Sequence, residues 1–264
     1  MEEIREVLQF LSLKYYELYP DMQNLSVNTI ISDCLSKSYL ELNLELKESL
    51  KADDLESIDD LNGMMVLPYA VGEPINVLLS RSKIAEYTID GSMTWMGTFA
   101  HELTHAIDFY QMAVKQNLNC YGPLLDKEKY YLFHLWSEYH ARKLGYAFLR
   151  SLLGVDSKYD ETSRIEHIQK TEWPMQFNRH FKEYHETNIG NIQMNSTMQL
   201  LGRYSVWCDL FPNEFNEATF KKLFANTPWM YNIFVFLRQH SSLNIVYSKF
   251  EDMRLILSEI WKGL

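Results

Sequence analysis

Apolar residues recur at helical spacing over residues 2 to 19, where Ile4, Val7, Leu8, Leu11 and Tyr15 share one side. Pro20-Asp21 closes this stretch. Residues 26 to 51 carry two patterns at once. Leu40, Leu42, Leu44 and Leu46 alternate as in a strand, while Leu35, Tyr39, Leu42, Leu46 and Leu50 keep a helical stripe. Length and the Leu, Glu and Lys content favour a helix. The acidic run from Asp53 to Asp60 reads as a connector, since it lacks the oxygen spacing of a calcium loop. Asn62-Gly63 signals a turn, and Met64 to Leu67 then reads as a short strand before Pro68. After Gly72-Glu73-Pro74, Ile75 to Ser80 reads as a second and better strand. Asp90-Gly91-Ser92 breaks the chain ahead of a helix that starts between Met93 and Thr98, so residues 62 to 110 run strand, strand, helix.

Asn119 to Gly122 is a loop, and a long helix follows from Lys127 to Leu153. Residues 154 to 192 are polar, with Pro174 and Gly190 as breakers. Helical spacing resumes over 194–211, 216–224, 229–238 and 250–261. No internal repeat or low-complexity tract is present. The pattern predicts an α+β fold that is mostly helical, with its few strands gathered before the motif helix.

Composition narrows the class. At 47% hydrophobic and 14% aromatic over 264 residues, the chain has the means to build a full core. A net charge of -10 argues against a nucleic-acid partner, because phosphate binding needs a basic footprint. The N-terminus opens Met1-Glu2-Glu3-Ile4-Arg5-Glu6, without the basic and then apolar run of a signal peptide. No apolar stretch reaches 18 residues, so no membrane partner is expected. Cys34, Cys120 and Cys208 are odd in number and far apart, which predicts reduced, mostly buried thiols and a cytoplasmic location.

The motif helix carries the chemistry. His101-Glu102-Leu103-Thr104-His105 is the H-E-x-x-H signature of zinc proteases. Residues four apart share a helix face, so His101 and His105 can point two imidazoles at one ion. Glu102 sits beside them, suited to handle a metal-bound water. At about 100° per residue, His101, His105 and Asp108 fall within roughly 60° of one another, while Phe99, Leu103, Ala106, Ile107 and Tyr110 gather opposite. A catalytic zinc has three protein ligands and an open position, so a third ligand is needed. On the long helix, His134, Glu138, Ala141, Arg142 and Gly145 share a face, with Phe133, Trp136, Leu144 and Ala147 on the other. Small Ala141 and Gly145 would let this helix approach closely, which makes Glu138 the candidate third metal ligand. His140 falls roughly 160° away and reads as a buried histidine. His134 reads as a helper near the site or as an ordinary polar residue. Asp108 has two readings of equal standing, orienting a ligand histidine or pairing with Arg142.

These residues resemble a known family. His101-Glu102-Leu103-Thr104-His105-Ala106 resembles the active-site helix of thermolysin-like gluzincins, and Ser137-Glu138-x-x-Ala141 resembles the third-ligand helix of small intracellular zincins. The likeness covers roughly residues 62 to 150. It implies a zincin metallopeptidase: a small twisted sheet over two helices, an edge strand that pairs with an extended peptide, zinc on two His and a downstream Glu, and the motif Glu as general base. The thermolysin-like pattern has an Asp four residues after the zinc-binding Glu, where this chain has Arg142. Residues 1–153 are thus expected to form a zincin-like metallopeptidase domain with N-terminal helices, and 154–264 a helical C-terminal region.

The function expected is a zinc-dependent peptidase acting on a peptide or protein substrate. Zn2+ would sit on His101, His105 and Glu138, and Glu102 would be the catalytic base. The substrate strand would add to an edge at residues 75 to 80. His134, His180, His185 and Tyr204 are candidate donors to the oxyanion. The alternative is a non-catalytic zincin-fold protein that keeps zinc for structure and serves as a protein-binding module. Its groove would be lined by Trp207, Phe211, Phe220, Phe224, Trp229 and Phe236, a stripe that equally suits a core. A third reading makes the motif a coincidence in a metal-free helical interaction protein.

Overall fold

The run Val27-Asn28-Thr29-Ile30-Ile31-Ser32 is rich in β-branched side chains, which fit a pleated, half-buried surface better than a helix. In the computed structural model it forms strand β1, Val27–Ser32. The model describes residues 2–20, 25–43, 51–153, 191–225 and 228–258. The helix favoured across 26 to 51 is therefore corrected over its first part. Among the described residues of that stretch only Leu35–Leu42 is helical (α2), and the alternating Leu40 and Leu42 lie within that helix. The described residues divide into two compact units, Met1–Asp126 and Lys127–Leu264.

The first unit is built on a three-stranded mixed sheet in the order β1-β3-β2. Strand β2 is Gly63–Val66 and strand β3 is Ile75–Ser80. β1 runs parallel to β3, with Val27 opposite Ile75 and Ser32 opposite Ser80. β2 runs antiparallel on the other side, with Gly63 opposite Leu79 and Val66 opposite Asn76. Strand 75–80, expected at an edge, is thus the central strand. Its near-continuous burial explains why: a strand covered on both faces reads as an unbroken apolar run.

On one face of the sheet, Leu78, Val66, Ile30 and Met64 pack with Leu35 and Tyr39 of α2 and with Ile58. Ile58 belongs to α3, Ala52–Asp59, so the acidic stretch expected as a connector is a helix. Asp59 ties it to α2, accepting from the backbone N–H of Ser36 at 2.9 Å and from the Ser36 hydroxyl at 2.7 Å. These bonds hold the Asp59 carboxyl below its usual range, the backbone bond contributing most. A further helix that periodicity did not reveal, α4, spans Arg81–Ile89 directly after β3 and is capped by the Ser80 hydroxyl.

The opposite face carries α5, Thr94–Lys115, the motif helix. Gly91 at φ 72° turns the chain into it. Contact is close at Gly63, where a Cβ would stand 2.8 Å from the Leu78 carbonyl oxygen and 3.2 Å from Cγ2 of Thr98. The first helix, α1 (Glu2–Leu18), buries Leu8, Leu11 and Tyr15 as its spacing predicts. Tyr15 reaches Thr104 of α5, with the two hydroxyl oxygens 2.6 Å apart.

The second unit is helical throughout its described residues. The long helix α6 spans Tyr131–Leu152, starting later than the expected Lys127. It is followed by α7 (Asn191–Leu210), α8 (Glu217–Leu223), α9 (Pro228–Gln239), the short α10 (Leu243–Val246) and α11 (Phe250–Ser258). The polar stretch 154–190 lies outside the described residues. Helices α6 and α7 approach closely at Gly202, where a Cβ would meet the Tyr139 carbonyl oxygen at 2.7 Å and the Arg142 Cβ at 3.0 Å. Trp136 of α6 donates its indole N–H to the carbonyl of His240 at 3.0 Å. Tyr204, Trp207, Phe220, Phe224 and Phe234 form a continuous aromatic core, with the Phe220 and Phe234 ring centroids 4.7 Å apart.

The thiols depart from expectation. Cys34 is exposed, Cys120 is half-buried and only Cys208 is buried; all are free. Burial pushes the Cys208 thiol up to about 11, which leaves it an inert core residue. Among the described residues no helix is long and apolar enough to cross a membrane.

Candidate metal centre

Along α5 every residue from Phe99 to Phe109 is buried. The polar members therefore need partners, because an unpaired buried imidazole or carboxylate is costly. His101, Glu102 and His105 keep 7%, 9% and 8% of their surface exposed, a narrow opening toward solvent. Four-residue spacing brings the two imidazoles edge to face, with Nε2 of His101 and Nε2 of His105 only 3.1 Å apart. Both rings turn the same nitrogen toward one point.

Glu102 is held by the sheet. Its Oε2 accepts a hydrogen bond from the backbone N–H of Met65 at 2.9 Å. That amide is available for a structural reason. Ser80 donates to the carbonyl of Asn62, so Asn62, Met64 and Val66 face β3 and the alternate residues Gly63 and Met65 turn their backbone groups outward. The motif glutamate thus lies along the free edge of β2.

Glu138 is half-buried on α6 and accepts from Nε2 of Gln199 on α7 at 2.9 Å. The same Gln199 accepts from Arg142 through its Oε1 at 2.6 Å. His101, His105 and Glu138 each offer one ligand atom, and these atoms all lie within 4.8 Å of one another, so the group could hold a metal ion. It is the one such group among the described residues.

The other expected residues fall out as follows. His140 is buried and stacked on Trp136, ring centroids 4.7 Å apart. His134 is half-buried beside Phe133. Tyr204 is fully buried in the aromatic core, and desolvation there drives its phenol far above its usual range. It is therefore corrected from oxyanion donor to core residue. His180 and His185 lie outside the described residues. Trp207, Phe211, Phe220, Phe224, Trp229 and Phe236 are all buried, so they form core and not an open groove. Asp108 is fully buried near Tyr15, whose phenol is raised well above its usual value by burial first and by the Asp108 charge among further causes. Gln199 escaped the sequence reading. Its only sequence signal is a Gln three residues before Gly202, which places an amide and a gap on one helix face.

The chain matches no protein-family model, no curated protein and no solved structure.

Proposed function

We propose that the chain is a zinc-dependent peptidase of the zincin type, and that His101, His105 and Glu138 hold the metal with Glu102 as general base. The observation that carries this reading is the convergence of the three ligand atoms within 4.8 Å. The imidazole spacing supports it. Two nitrogens bound to one tetrahedral zinc at about 2.0–2.1 Å lie about 3.3 Å apart, close to the 3.1 Å between the two Nε2 atoms. Two neutral imidazoles and one carboxylate also match the donor set of a catalytic zinc, with a coordination position left for water.

When bound, zinc supplies a water acidified to about pKa 7 and a Lewis acid for the scissile carbonyl. The chain's own groups do the rest. Glu102 takes the water's proton on its carboxylate and returns it to the leaving amine. The Met65 N–H keeps that carboxylate at a fixed point beside the His101 and His105 face. The substrate strand would add along β2, because β3 is interior and β2 is the edge that carries Glu102. Low exposure of the motif residues limits competing water.

The test is Glu102→Gln with a mixed peptide library read by mass spectrometry. The variant is expected to hold as much zinc as the wild type while hydrolysis falls by about 10²–10⁴-fold. Retained turnover in the variant would sink the assignment of the base.

A further inference from the structure

We infer that Gln199 is a positioning residue for Glu138 and that Arg142 sets the direction of its amide; this rests on the reading of Glu138 as a metal ligand. A glutamine side chain has a donating end and an accepting end, whereas a guanidinium only donates. Arg142 at 2.6 Å therefore fixes Oε1 of Gln199 toward itself, and Nε2 is left to donate to Oε2 of Glu138 at 2.9 Å. Both bonds carry a charge at one end, which makes them short and directional. The N–H of the Gln199 amide thereby orients the Glu138 carboxylate.

The backbone is arranged for this reach. Glu138 and Arg142 are four apart on α6 and share a face. Gln199 and Gly202 are three apart on α7, and Gly202 lets α7 come so near α6 that a Cβ would stand 2.7 Å from the Tyr139 carbonyl. That approach allows one short side chain to bond both Glu138 and Arg142. Partners of this kind are worth about 10–100-fold in metal affinity.

The experiment titrates the full chain with zinc against a chelating indicator, using the wild type, Glu138→Ala, Gln199→Leu, Gln199→Glu and Arg142→Gln. Glu138→Ala and both Gln199 variants are expected to bind zinc about 10–100-fold more weakly, and Arg142→Gln to lose less because the amide can still turn. The visible absorption of the cobalt(II)-loaded Gln199→Leu protein should also change, since it reads ligand geometry and not stability. Gln199→Glu keeps the side chain's volume, so the test stands if Gln199→Leu fails to fold. Weakened binding in Glu138→Ala with wild-type affinity and an unchanged cobalt spectrum in the Gln199 variants would overturn the positioning role alone. Wild-type affinity in Glu138→Ala, or no zinc uptake by the wild type, would overturn the ligand assignment and the positioning role with it.

Discussion

Thr104 has one proton, and it goes to the carbonyl of Ala100 at 2.7 Å. The hydroxyl of Tyr15, 2.6 Å from Thr104 Oγ1, must then be the donor in that pair. Both side chains are fully buried, so this bond ties the N-terminal helix to the middle of the motif helix at a point water does not reach. Tyr15→Phe should cost about 1–2 kcal/mol of unfolding free energy by chemical denaturation; a change within about 0.3 kcal/mol would show that the bond contributes nothing net. At this scale the candidate site was legible where a residue's chemistry depends on spacing along one helix. His101, Glu102 and His105 are such residues, and Glu138 stood out as the carboxylate on the face of α6 that holds Ala141 and Gly145. Gln199 was not legible, because its significance lies in bonds to two residues about sixty positions away. The place of Tyr204 was not legible for the same reason: a tyrosine's type cannot say that three aromatic side chains surround it.

Among the elements, Gly202 gives a test with opposite signs. On an open helix face, Gly→Ala gains about 1 kcal/mol from helix propensity. At Gly202 the new methyl would meet backbone atoms of α6 at 2.7 and 3.0 Å, which cannot move as a flexible side chain can. Gly202→Ala is therefore expected to destabilise by about 1–3 kcal/mol, the usual cost of overpacking. A rise in stability on thermal or chemical unfolding would contradict the close crossing of α6 and α7. Long periodic helices were readable because their apolar faces repeat over many turns, as in α1, α5 and α6. The shorter elements were not. β1 was absorbed into a helix by the Leu-rich stretch that follows it. The acidity of α3 hid a helix held through Asp59 and Ile58, and α4 follows β3 with no turn between them. The edge position of a strand is a property of the sheet, so strand 75–80 could not be assigned one from its own residues.

At the scale of the whole molecule, the described residues form a mostly helical α+β protein with one small mixed sheet. Within the first unit the edge of β2 holds Glu102 of the motif helix, and within the second α7 braces Glu138 of α6. The account predicts that the purified full chain retains zinc, and that each of the three ligands matters to its retention. The most direct measurement is zinc content by elemental mass spectrometry on the wild type and on Glu138→Ala, each after exposure to zinc and dialysis. The account predicts about one zinc per chain in the wild type and a large loss in the variant, as expected when one of three ligands is removed. No zinc retained by the wild type, or equal zinc in both proteins, would contradict it.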